Sequence, residues 1–514
     1  MALGFGLKAL RSVVVNSRLR AVCDLSLPLM REGAGRHEYD GKIQDLSPAG
    51  VRSGLAALGG PELDDAHDEA HLQTFEADLQ LQLGELELHR LLPLLHLENL
   101  DLAAYDRPYA PEAERAAARE AHLARWPEAV EMALESLDSV SAPVASALLP
   151  AVQGLAAGIQ GDQPTAAAAR KAHARLVDRI EKFAASGDPD VALGAEALAK
   201  LMGVPEATTV DLTDLARRAD VERDRLRAML DDACRRLDAS TGTEQIVPAL
   251  MADHATGDDV LAEARDLTAE VMAWTAEHRL APYLDGECIV ELAPESRRWA
   301  VAMMAWSAPG EPDAASYYQI TPPEPTWPVD EQNEWLTMFS RTTLPTVTVH
   351  EVAPGHFSHG RALRHASTEV RRTLMSDAFA EGWAHYVEEV AVEEGFRAGD
   401  PRFAAGMALD ALCRVTRLAC AIGLHTGTMD VGEATRRFQT DAFMSHAGAA
   451  SEARRGTFDP RYGMYTHGKW AILDLRERAR AAWGEGFSLP RFHAAMLSLG
   501  SPPLGLLDEA VRVG

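Results

Sequence analysis

From residue 1 to about 280, apolar positions recur at spacings of three and four between Ala-, Arg- and Asp-rich stretches, which places them on one side of a helix. Over 164–187, Leu176, Ile180 and Phe183 fall on one face, Thr165 is placed to cap the start, and Gly187-Asp188-Pro189 stops the segment. Leu226, Leu230, Ala233 and Leu237 form a second stripe, and Leu261, Ala264, Leu267, Val271 and Trp274 a third, each reading as the core side of a packed helix. The N-terminal stretch is mildly apolar but interrupted by Lys8 and Arg11, with no clear cleavage site after it, so it predicts a helix and not a signal.

Near residue 285 the pattern changes. Short runs rich in Val, Met, Trp and Tyr (Cys288–Leu292, Trp299–Trp306, Ser316–Ile320) lie between Pro, Gly and Asp clusters and predict a small sheet. The Pro-rich stretch 321–328 reads as a loop, Asn333–Phe339 as helix, and the remainder as helix to the end. The expectation is a mainly α chain with an N-terminal helical region, 1–280, and a region 281–514 carrying the sheet and the chemistry, the two packing as one body. No internal repeat is present.

Composition narrows the class. With 514 residues, 47% apolar and 25% charged, the chain is neither disordered, collagen-like nor disulfide-stapled. Fifty Lys and Arg against 77 Asp and Glu leave a net charge of −27, which repels phosphate backbones and anionic bilayers and chiefly supplies solubility. No run approaches the roughly 20 apolar residues of a membrane span. Nucleic acid and membrane are therefore not expected as partners. Cys23, Cys234, Cys288, Cys413 and Cys420 include no CxxC pair, which suits a reducing compartment and a soluble, cytoplasmic protein.

Five of the 18 histidines (His350, His356, His359, His365, His385) crowd into 36 residues beside Glu351, Glu381, Glu388 and Glu389. A His-Glu pair on a helix is similar to the HExxH zinc arrangement, but position i+4 from His350 is Pro354, and His356 at i+6 stands about 120° off that face in a straight helix. Pro354-Gly355 supplies a kink or bulge that swings His356 back. Glu381, 25 residues beyond His356 in FAEGWAHYVEEV, is the expected third ligand, with Trp383 packing to fix its helix. Two His and a carboxylate leave an open position for water. His359, His365 and His385 read as surface or supporting residues. Solvated surface histidines are the alternative that the pattern alone leaves open.

HEVAPGH at 350–356 followed by FAEGWAHYVEE at 379–389 resembles the signature of the domain-of-unknown-function 885 family, HE-x-x-P-G-H and then EGWA-x-Y-x-E. YDGKIQDLSP (39–48), SYYQITPPEP (316–325), RLACAIGLH (417–425), YTHGKWAILDLRERA (465–479) and FHAAMLSLGSPPLGLL (492–507) resemble further family segments in order, most strongly from 285 onward and weakly between about 60 and 280. The family is placed among zincin-like metallopeptidases. The resemblance thus implies a zincin-like helical metallopeptidase body with a small β-sheet lining the active-site cleft, one Zn2+ on His350, His356 and Glu381, and Glu351 as general base. Ala421, where the pattern has Asp, and Phe357, where a second His is common, depart from it and bear on substrate specificity more than on the metal.

Zinc lowers the pKa of bound water to about 7, and Glu351 would take its proton and pass it to the leaving nitrogen. Tyr465 is the expected oxyanion donor, with His467 and Tyr462 in reserve. Arg417, Arg455 and Arg461 are candidates for holding a substrate carboxylate, as a carboxypeptidase or dipeptidase requires, or are plain surface arginines. His425 either orients substrate or packs. Tyr317 and Tyr318 either line the cleft as an edge strand that pairs with a peptide or belong to the core. The expected function is zinc-dependent hydrolysis of a short peptide or small amide. Alternatives are a metal-dependent hydrolase or lyase of a non-peptide metabolite, and a non-catalytic binding protein. Zinc is favoured at a His, His, Glu set, although availability can substitute another divalent ion.

Overall fold

The computed structural model describes residues 16–514 except 258, 295, 296, 299 and 312. Most of the N-terminal segment expected as helix, 1–15, lies outside the described residues, and the first described helix is Ser17–Asp24 with Asn16 as its cap. The elements that frame the site are α1 (Glu112–Ser136), α2 (Ala142–Gly154), α3 (Pro164–Ser186), α4 (Leu212–Leu237), α5 (Asp259–His278), β1 (Cys288–Leu292), β2 (Ala302–Ala305), β3 (Ser316–Ile320), α6 (Leu344–Glu351), α7 (His356–Leu363), α8 (Asp377–Glu393), α9 (Pro401–His425), α10 (His446–Phe458) and α11 (Met464–Trp483). The chain is mainly helical with one three-stranded sheet.

Helices α1, α2 and α3 bury Trp126, Val130, Leu148, Leu176 and Ile180 in a core of their own. Thr165 does not cap α3. Gln163 holds the cap position and Pro164 takes the first helical turn, where its missing N–H leaves no intrahelical bond unmade. Leu226, Leu230 and Ala233 of α4 pack on Ala408, Leu412 and Val415 of α9, while Leu237 at the end of that stripe is exposed. Residues 260–271 join Phe379, Trp383, Tyr386, Ile472 and Leu475 in the largest core, which also takes in the sheet. Helices ahead of residue 280 therefore share cores with the second half of the chain.

Strand order is β1-β3-β2, with β1 parallel and β2 antiparallel to β3. β2 is shorter than the run expected, leaving Trp306 beyond its end, and Trp299 lies outside the described residues. Tyr317 and Tyr318 do not form an edge strand. β3 is flanked on both sides, Val290 and Met304 pair with Tyr318, and Tyr318 is fully buried with its hydroxyl 3.5 Å from Thr348 Oγ1 of α6. Its ladder bonds are thus committed within the sheet.

Helix α8 is held at its start and its middle. Ser376 caps it by accepting from the Phe379 N–H and donates its own hydroxyl to the buried Glu206 carboxylate at 2.8 Å, which also accepts from the Leu504 N–H at 3.0 Å. Further along, a Cβ on Gly382 would come within 2.5 Å of Gly468 Cα, and one on Gly468 within 1.9 Å of the Ala378 carbonyl, so only glycines allow α8 and α11 to cross this closely. That crossing sets Tyr465 beside Glu381. All five cysteines are free. Among the described residues no helix is long and apolar enough to cross a membrane.

Candidate metal centre

His350 and Glu351 are the last residues of α6 and His356 the first of α7. The chain does not bend one helix between them. It breaks the helix at Val352, passes the cis Ala353-Pro354 bond, and restarts after Gly355. A Cβ on Gly355 would stand 1.8 Å from the His350 carbonyl, so the turn admits no side chain there. Trp383 Nε1 donates to the Pro354 carbonyl at 2.9 Å and ties the turn to α8.

The turn faces His350 toward His356, their ring centroids 4.7 Å apart at 88°. Both Nε2 atoms lie 3.4 Å from Glu381 Oε2, and one donor atom from each residue falls within a 4.8 Å cluster. Ligand atoms about 2.0–2.1 Å from a tetrahedral zinc stand roughly 3.4 Å apart, so the spacing suits a single ion. Glu381 Oε2, Glu351 Oε2 and His356 Nδ1 are buried without hydrogen-bond partners, an arrangement costly for a site that holds nothing. The residues fit a divalent cation.

Electrostatics follow the same logic. Burial and Arg414 push the His350 imidazolium down, but Glu381 and Glu388 outweigh them and hold it up at about 9. Burial opposes the ionised form of Glu381, yet His356 and His350 keep its carboxyl well below the ordinary range. Burial raises the Glu351 carboxyl, with His356 and His350 pulling against it. His350 Nδ1 donates to Glu388 Oε1 at 2.6 Å, and Glu388 Oε2 accepts from His385 Nδ1 at 2.9 Å. That bond fixes a proton on Nδ1, so Nε2 is the atom turned toward Glu381 and the one whose proton a bound metal would replace.

Tyr465 is buried beside this cluster, its ring 6.4 Å from that of His350. Burial and Glu381 raise its hydroxyl above the usual phenol value, against the pull of Arg455 and Arg417, so it keeps its proton as a donor. Arg417 grips Glu452 with two bonds of 2.7 Å and lies 5.1 Å over the Tyr465 ring, while Arg455 pairs with Asp459. Arg461 reaches Asp377 at 3.3 Å and shares a small cavity with Glu206, Asp377 and His467 at the first turn of α8, four residues ahead of Glu381. Burial and Arg218 push His467 down to about 4.

Other expected residues stand apart. The buried His425 ring lies between the Val191 and Gly456 carbonyls at 3.2 and 2.8 Å, and so ties α9 to α10. Tyr462 and Ala421 pack with Cys420, Leu424 and Phe438, and Phe357 is in the main core, so both departures from the family pattern sit in apolar packing. His359 is buried against Trp306 and Phe379, and exposed His365 stacks on Tyr283. Sequence reasoning overlooked Arg414 and the role of Glu388. The latter's signal was its place two turns after Glu381 on one face of α8.

Carboxylates and arginines mix near the first turn of α8, where Asp377 meets Arg461 and Asp459 meets Arg455. Glu98 is open to water, yet burial by the surrounding protein, then Asp377, Asp101 and Asp459, push its carboxyl up to about 7. Burial also raises Asp377 against the pull of Arg461, with Glu381 and Asp459 adding to the rise.

The family described as bacterial proteins of unknown function, DUF885, matches residues 28–511. No curated protein sequence matches. Two solved structures share the fold. A candidate lipoprotein of unknown function from Shewanella oneidensis is 20% identical, with TM-score 0.75 over 97% of this chain and 98% of its own. A candidate lipoprotein from Colwellia psychrerythraea is 15% identical, with TM-score 0.74 over 97% and 99%.

Proposed function

The chain belongs to the DUF885 family, and from that premise and the geometry around Glu381 we propose that it is a zincin-like, metal-dependent hydrolase of short peptides or small amides. The observation that carries the reading is the convergence of His350, His356 and Glu381 beside a buried Glu351 oxygen that has no partner. A divalent cation held by those three residues, Zn2+ by the chemistry of the set, would supply Lewis acidity and a water acidic enough to ionise near neutral pH.

The chain's own residues do the rest. Glu351, raised by burial and adjacent in sequence to a ligand, accepts the proton of the attacking water and delivers it to the leaving nitrogen. Tyr465, protonated and steadied by Arg417 and Arg455, donates to the oxygen on which charge develops. The side on which the Glu381 carboxylate remains partly exposed is the proposed active-site cleft, with the sheet behind α6 stiffening its floor. Five free cysteines support a reducing, cytoplasmic setting, which recovery of the native protein from a membrane fraction would contradict.

The test is Glu351→Gln assayed on a mixed short-peptide library. Turnover should fall by roughly 10²- to 10⁴-fold with metal content unchanged. Undiminished turnover would remove Glu351 as the base.

A further inference from the structure

We infer that Arg414 is a positioning residue of the proposed metal centre, which holds Glu388 so that this carboxylate aims His350. The inference rests on the metal-dependent reading above. Arg414, on α9, is 7% exposed. Its Nη2 lies 3.1 Å from Glu388 Oε1 and its Nη1 3.3 Å from Oε2, while Asp410 Oδ2, one turn earlier on the same helix, lies 2.8 Å from Nη1. Glu388 has no exposure at all, so water cannot compensate its charge. The imidazole N–H groups of His350 and His385 donate to its two oxygens, and the guanidinium beside them supplies the balancing cation. A planar fork across both oxygens also fixes the carboxylate's rotation, which a point charge does not.

The consequence lies at His350. Arg414 Nη2 is itself 3.1 Å from His350 Nδ1, close enough to donate to it. With Glu388 accepting at 2.6 Å, Nδ1 carries the hydrogen and Arg414 has no acceptor there. Without the Glu388 carboxylate, the guanidinium would donate to Nδ1 and the hydrogen would move to Nε2, the atom that faces Glu381. Arg414 thus supports the ligand tautomer only through Glu388, and opposes it in Glu388's absence. The two residues act as one unit, and their losses should not add.

The experiment is a Zn2+ titration of the full chain against a chromophoric chelator, using wild type, Arg414→Gln, Arg414→Lys, Glu388→Gln and the Arg414→Gln/Glu388→Gln double variant, with circular dichroism to verify folding. Arg414→Gln should weaken Zn2+ binding by about 10- to 100-fold, as removal of partners behind metal-ligating histidines does. Arg414→Lys should recover only part of the loss, and the double variant should bind no more weakly than Glu388→Gln alone. Folded Arg414→Gln with wild-type affinity, or two losses that multiply in the double variant, would overturn the inference and leave the metal reading intact. Should Arg414→Gln not fold, Arg414→Lys decides the question, and wild-type affinity in it overturns the role of the fork. Failure of wild type itself to bind Zn2+ would overturn both readings.

Discussion

A methyl group at Gly355 would stand 1.8 Å from the His350 carbonyl and 2.4 Å from that of Val349, and this one close approach brings two histidines six residues apart onto a shared carboxylate. Gly355→Ala should therefore push α6 and α7 apart, destabilise the fold by about 3 kcal/mol or more, and displace His356 from Glu381. Thermal melts and Zn2+ titration measure the two effects, and a variant with unchanged melting and binding would contradict the role of the turn. HEVAPGH and the Glu of EGWA were legible because ligand residue types and a helix-breaking dipeptide are written locally. Arg414 was not, since its partner Glu388 lies 26 residues away on another helix and only tertiary packing makes them neighbours. His425, Tyr462 and Tyr318 are taken up in packing for the converse reason. Their polar groups suit a site, but the fold spends those of His425 on backbone carbonyls and turns the tyrosines into the core.

At the scale of elements, α8 is the ligand-bearing helix, and its first turn hangs on Glu206. Burial pushes that carboxyl up to about 8 from an ordinary 4.5, against the hydrogen bonds of Ser376 and Leu504. A folded value above the unfolded one means that the native state binds the proton more tightly. The contribution is fully present below about pH 4.5 and is lost as pH rises through 8, on the order of 5 kcal/mol across that window. Glu206→Gln should flatten this part of the stability profile, and urea unfolding at pH 5 and pH 9 checks it. An equal fall in stability from pH 5 to pH 9 in wild type and variant would contradict the assignment. The helices here were legible from their periodicity. Strand order was not, because local alternation carries no record of neighbours, and β3, last in sequence, lies in the middle of the sheet.

For the whole molecule, Glu98 of the N-terminal half comes within electrostatic reach of Asp377 and Asp459 of the C-terminal half, but Asp101, Asp377 and Asp459 pair with Arg297, Arg461 and Arg455, so what a substrate meets at long range is the net charge of −27. Peptides with a free amino terminus or a lysine should accordingly be turned over more efficiently than their acetylated counterparts, the difference shrinking as salt is raised. Comparing kcat/KM for the paired peptides at low and high ionic strength measures this, and equal values at low salt would contradict it. The net charge was plain in the sequence, but which carboxylates meet which arginines depends on packing between segments hundreds of residues apart.

On this reading His350, His356 and Glu381 hold a metal ion. Elemental analysis of purified wild type beside His350→Ala, His356→Ala and Glu381→Ala tests it most directly. The geometry predicts about one zinc or other divalent ion per wild-type chain, lost in each of the three variants while they remain folded. Wild-type protein that carries no metal and takes up none from micromolar zinc would contradict it.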